Sequence, residues 1–179
     1  NTVAYYAYTI TNTGNVNNTF ALSGATGAGG NSWTVTLYAD DGAGGGVAND
    51  GVHQAGETTV TASSGSIAAA ATYKFFMAVT IPANTVKDQT DDSVLTVTGS
   101  GDAGAGDDTS DTVTTTAQAP SLSITKAVRN VSAAGSFDVS ATANPGQTLE
   151  YRMTVTNTAS ANTLTATSVI LTDADHANT

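Results

Sequence analysis

The chain has 179 residues and no cysteine, with 15 acidic against 5 basic side chains and a formal charge of −10. That balance excludes a nucleic-acid binder, which needs a basic patch to displace counterions from phosphates, and the missing cysteines exclude a disulfide framework or a thiolate metal site. Charged residues make up 11% of the chain, against about 25% in ordinary soluble domains, so the surface falls to Thr, Ser, Asn, Gly and Ala, a composition suited to an extracellular protein.

Residues 2–11 alternate Val3, Tyr5 and Ala7 against Tyr6, Tyr8 and Ile10. A period of two over such a run specifies a half-buried strand. Further strands are expected at 17–23, at 32–39 with Trp33, Val35 and Leu37 on one face, and at 57–62. The stretch 66–72 is short, alanine-rich and uncapped, and reads as a strand lead-in rather than a helix. Tyr73, Phe75, Met77, Val79 and Ile81 share one face of a strand at 71–81, and strands follow at 93–99 and 111–117.

At Gln118-Ala119-Pro120 the pattern breaks. Proline cannot donate to a ladder and holds its predecessor extended. A second set is expected at 121–128, 136–141, 147–157 and 163–172, with Leu149, Tyr151, Met153 and Val155 on one face. Thr, Val, Ile and Tyr suit a pleated surface, and Gly, Asn and Asp clusters mark the turns between. The class is all-β, an antiparallel sandwich, in two modules, 1–119 and 120–179. No run approaches the ~18 apolar residues of a membrane span, so no membrane insertion is expected.

The two modules echo each other. Y-A-Y-T-I-T-N-T-G-N near the start returns as Y-R-M-T-V-T-N-T-A-S, with Tyr6 on Tyr151, Asn12 on Asn157 and Thr13 on Thr158. The second copy is preceded by L-S-I-T-K and N-P-G-Q and followed by S-V-I-L-T-D, and the first is followed by W-T-V-T-L-Y-A-D-D and Y-K-F-F-M-A-V-T-I-P-A. This order of motifs resembles the conserved-repeat Ig-like β-sandwich modules of prokaryotic cell-surface and adhesin-type proteins. The resemblance implies an Ig-like sandwich, an extracellular structural role in tandem arrays, and no catalysis. On it, the first module lacks its opening strand and the second its closing strands.

The stretch A-D-D-G-A-G-G-G-V-A-N-D-G-V-H-Q-A-G-E holds the densest set of oxygen ligands. Asp50, Gly51 and Glu57 match the second half of an EF-hand loop, in which glycine permits a sharp turn and glutamate gives both oxygens to calcium. Gly46 and Ala48 stand where the first-half ligands belong, and Asp40, Asp41 or Asn49 are the substitutes. The same residues also build ordinary solvated turns. Acidic clusters at Asp102, Asp107, Asp108 and Asp111, at Asp88, Asp91 and Asp92, and at Asp173 and Asp175 read as turns first. His53 and His176 are too far apart in sequence, with no cysteine between them, to suggest zinc. No G-x-S-x-G elbow or Ser-His-Asp arrangement stands out, so no catalytic residue is assigned. Asn17 and Asn130 begin N-glycosylation sequons. Lys126, inward by alternation, with Glu150 raises an intramolecular isopeptide bond, against a lysine whose stem lies on apolar surface and whose amine reaches water.

The second module has too few strands to enclose Leu122, Ile124, Leu149, Tyr151, Met153 and Val155. The expected function is therefore an extracellular structural subunit of a surface filament or envelope layer, self-associating or joined to neighbouring modules by strand addition. Val3, Tyr5, Tyr6, Tyr8 and Ile10 are the expected donor strand, and Leu164, Val169 and Leu171 the receiving edge. The alternative is an adhesin-type module that recognises carbohydrate or a partner surface through its acidic loops, with calcium.

Overall fold

A computed structural model describes residues 2–27, 30–100 and 108–173. Among them the chain is all-β, with ten strands and antiparallel pairing between them. No helix among the described residues is long and apolar enough to cross a membrane. The chain divides into two compact units, Asn1–Ala117 and Gln118–Thr179, two residues before the expected break at Pro120.

The first unit is two four-stranded sheets. One runs β1 (Thr2–Thr11), β6 (Thr72–Ile81), β3 (Thr34–Ala39), β4 (Thr59–Val60). The other runs β5 (Ser63–Ile67), β2 (Asn18–Thr26), β7 (Thr90–Gly99), β8 (Thr109–Thr116). Their inner faces meet at Phe20, Leu22, Leu37, Ile67, Phe75, Met77, Leu95 and Val97, with Tyr6, Tyr8, Ile10 and Tyr73 packed against them. Trp33, Val79 and Ala117 form a second buried group with Tyr6 and Ile81. The expected shared faces of β3 and β6 are thus the inner ones, because alternate residues of a strand face one side, and in β1 the inner set is Tyr6, Tyr8 and Ile10. Gly24 lets the sheets approach: a Cβ there would lie 2.7 Å from Val35 Cγ1. At one margin β1 and β8 are tied by Tyr6 Oη to Thr115 Oγ1 at 2.8 Å and by Tyr8 Oη donating to Asp111 Oδ2 at 2.9 Å.

Alternation fails in β6. Phe75, Phe76, Met77, Ala78 and Val79 are all buried, so its outer face is covered too. The expected strand 57–62 contracts to β4, and β5, beyond it, is a separate strand paired in the other sheet.

The second unit is built on β9 (Leu122–Asn130) and β10 (Leu149–Asn157), paired from Leu149↔Asn130 to Asn157↔Leu122. The expected strand 136–141 contracts to a single bridge, Asp138 to Val128, and 163–172 to one bridge, Thr163 to Ala119. Both segments have strand-like composition, but neither finds a ladder partner beyond these points, and without ladder hydrogen bonds composition does not make a strand. Phe137 sits between the guanidinium groups of Arg129 and Arg152, 4.8 and 4.3 Å from its ring centre.

Candidate functional site

Residues 40–58 join β3 to β4 and fold back over the outer face of β6. His53 is the contact. Its ring stacks on Tyr5 with centroids 4.0 Å apart and planes at 19°, and meets Tyr38 and Phe76 edge-on at 5.0 and 5.7 Å. This accounts for the burial of Phe76. The sequence places His53 in a loop and gives no sign of this contact beyond the unbroken apolar run F-F-M-A-V, which marks a face in need of a cover.

The expected calcium ligands divide into two groups. Asp41 is exposed, and its Oδ1 accepts from the Ala43 and Thr58 amides. Hydrogen bonding from the Thr58 side chain, then from the Ala43 backbone, holds its carboxyl below the ordinary value. Asp50 accepts from Val52 N and from Gln54 Nε2. Asn49, at φ 63°, gives its carbonyl to Lys74 Nζ at 2.8 Å. These three serve the loop itself. Asp40 and Glu57 are different: they are 3% and 5% exposed. Asp40 Oδ2 accepts from Gly51 N at 2.9 Å and Glu57 Oε2 from Gln54 N at 3.2 Å, while the other oxygen of each is buried without a hydrogen-bond partner. The loop closes tightly at glycine: a Cβ on Gly44, at φ 85°, would lie 2.3 Å from Ala55 O.

The expected donor strand is already engaged. β1 pairs with β6 through ten residues, Thr2↔Ile81 to Thr11↔Thr72, and is the edge of its sheet. Tyr6, Tyr8 and Ile10 face the core, while Val3 and Tyr5 face outward. Giving β1 away to another chain would break this whole register, so what it offers is its outer edge. Beside it, a cavity of about 520 Å³ opens between the sheets, lined by Tyr8, Ile10, Phe20, Phe75, Leu95 and Asp111. Burial first, then the bond to Asp111 and its charge, holds the Tyr8 phenol far above its ordinary value.

In the second unit, the register puts Ile124 opposite Val155, Lys126 opposite Met153, and Val128 opposite Tyr151. The other face carries Ser123, Thr125 and Arg129 against Thr156, Thr154 and Glu150. The ribbon is amphipathic, and its apolar face is open over much of its length: Ile124 is 56% and Tyr151 57% exposed, while Val128 is buried. Leu164, Val169 and Leu171, the expected receiving edge, are also exposed but lie in irregular chain. Lys126 Nζ donates to both oxygens of Asp173 at 2.9 Å, with its side chain 38% exposed. Glu150 pairs with Arg129 at the surface. The lysine therefore reaches water with no buried acid beside it, the simpler of the two readings.

Of the sequons, Asn17 is exposed. Asn130 is buried, with Nδ2 donating to Thr142 O and Gln147 Oε1. A glycan on that nitrogen would displace both acceptors. Asp92 accepts from the Thr114 hydroxyl at 2.7 Å, and Asp91 is buried opposite Thr115. Asp102, Asp107, Asp175 and His176 lie outside the described residues.

Comparison with protein-family models, with curated proteins and with solved structures finds no match to this chain.

Proposed function

We propose that this chain is an extracellular structural protein, part of a surface filament or envelope layer of Ig-like sandwich modules, joined to neighbouring modules or to further copies by strand addition. The observation that carries this reading is the open apolar face of the β9–β10 ribbon. An isolated two-stranded ribbon is marginal in water and gains independent stability from further strands or a packed layer. Each large apolar side chain on that face contributes about 1.5–3 kcal/mol when covered, so a neighbour that pairs with the ribbon's edge and packs a second layer over Ile124, Tyr151 and Val155 has a strong driving force. The outer edge of β1 supplies a second place where backbone N–H and C=O groups can take up a neighbour.

Such a protein works mechanically. Load passes from module to module through backbone ladders and interdigitated side chains. The sparse charge and Thr-rich surface support an extracellular setting. A head-to-tail contact of this kind does not close on itself and extends into a fibre. Negative-stain microscopy of native surface material tests the proposal, with sedimentation of the purified chain beside it. Fibres or layers, and concentration-dependent association abolished by Ile124→Asp, are expected. Monomers in both settings would refute it.

A further inference from the structure

The loop from 40 to 58 gathers buried polar atoms that have no hydrogen-bond partner among the described residues: Asp40 Oδ1, Gln54 Oε1, Glu57 Oε1 and His53 Nε2. Buried carboxylate oxygens without partners are unfavourable, since burial removes water and supplies nothing in exchange. Their placement follows from the sheet. The register Leu37↔Val60, Tyr38↔Thr59 continues through the Ala39 amide donating to Thr58 O at 2.8 Å. The ladder ends there, with the Thr58 amide turned to Asp41 Oδ1, and the next residue of each segment, Asp40 and Glu57, carries a buried carboxylate into the mouth of the loop, where like charges disfavour each other.

Among the described residues no lysine or arginine pairs with them. Lys74 is the neighbour of Asp40 on β6, since Asp40 N donates to Lys74 O, but its ammonium is directed to the Asn49 carbonyl. His53 Nε2 stands 3.8 Å from Glu57 Oε2, beyond hydrogen-bond reach. Each carboxylate is instead fixed through one oxygen by a peptide N–H, Gly51 to Asp40 and Gln54 to Glu57, which leaves the second oxygen of each free. The Gln54 amide oxygen is directed into the loop at Gly46, where a Cβ would lie 2.5 Å from it.

We infer that Asp40, Glu57 and the Gln54 side-chain oxygen hold a calcium ion, completed by peptide carbonyls of the loop and by water. The chemistry selects the ion. The available donors are hard oxygens, two charged and the rest neutral, and calcium takes six to eight such ligands in flexible geometry. Among the described residues no three His, Cys, Asp or Glu side chains gather as a metal centre, so the neutral oxygens are essential, and a transition-metal site is not what the residues build. This ligand set departs from the sequence-based one: Asp41, Asn49 and Asp50 drop out because they are exposed and none of their oxygens is buried without a partner, and Gln54 enters.

The test is thermal unfolding of the whole chain in chelator and in calcium, with terbium luminescence as a direct probe sensitised by Tyr38 and Tyr5 on the same outer face. Wild type is expected to gain about 5–10 °C at ~100-fold excess of calcium over Kd, and to show terbium emission that calcium competes away. Asp40→Asn and Glu57→Gln lose both responses and, having lost the repulsion, unfold in chelator no lower than wild type. Asp41→Asn keeps both responses. Gln54→Ala, which leaves the carboxylates in place, weakens calcium competition several-fold. A wild-type midpoint indifferent to calcium with no terbium emission overturns the inference, as does an undiminished response in Glu57→Gln. A midpoint in chelator that rises as pH falls from 7 to 5 with no calcium response overturns it too, by showing that the carboxylates share a proton instead.

Discussion

His53 lies flat on Tyr5, ring centres 4.0 Å apart, and so pins the long β3–β4 loop to the outer face of the sheet whose edge is β1. The same ring is edge-on to Phe76, which is why an otherwise solvent-facing phenylalanine in mid-sheet is buried. One histidine therefore couples the glycine-rich acidic loop to the core strand.

His53→Ala should destabilise the first unit by about 1–3 kcal/mol, from the lost ring contacts and the uncovered Phe76. Chemical denaturation measures this. His53→Phe, which keeps the stack and discards the polar edge, should recover most of it.

Asn12 and Asn157, the corresponding residues of the repeated T-N-T motif, both close a strand and staple a loop. Asn12 Nδ2 donates toward Val16 O, Ile67 O and Ala68 O, and its Oδ1 accepts from Gly14 N. Asn157 Oδ1 accepts from Ser121 N while Nδ2 donates to Leu164 O. Asn12 is buried and Asn157 only half-buried. Asn12→Ala should therefore cost about 2–4 kcal/mol, by stranding buried carbonyls, and Asn157→Ala about 1 kcal/mol, because water replaces its bonds. Equal losses would contradict this account of the repeat.

The Tyr8 phenol, half-buried and bonded to Asp111, has its proton held more tightly folded than unfolded. A raised folded value gives stability that is complete below the ordinary value of 10.0 and is lost as pH rises through the folded one. Melting temperatures at pH 9 and pH 11 should thus fall more steeply for wild type than for Tyr8→Phe. Parallel decline of the two proteins would contradict the assignment.

Much of this architecture was legible in the residues. The inner face of β6 and the apolar face of β10 follow from alternation alone, since alternate residues of a strand share a side. What alternation cannot show is a partner. The segments 136–141 and 163–172 have strand chemistry yet form single bridges, because a strand exists by virtue of its ladder. Phe76 is legible as apolar, but its cover is a polar, glycine-rich loop that no hydrophobic pattern marks. In the acidic loop, residue types pointed to oxygen ligation. Which oxygens remain free depends on the backbone amides that reach Asp41 and Asp50, a matter of tertiary path rather than spacing.

The ribbon's faces give a further contrast. Ile124→Asp places a charge where a neighbour is proposed to dock and should abolish association at concentrations that assemble wild type. Thr125→Asp, one residue away on the polar face, should leave it intact. Sedimentation velocity separates these outcomes.

Because the chain has no cysteine, a single thiol reports on that face directly. Ile124→Cys and Thr125→Cys are each treated with a maleimide, once as dilute purified chain and once in native surface assemblies. Slow labelling at position 124 in the assemblies, fast labelling there in dilute chain, and fast labelling at 125 in both is the predicted pattern. Labelling at 124 as fast in the assemblies as in dilute chain would contradict the claim that another strand covers the ribbon.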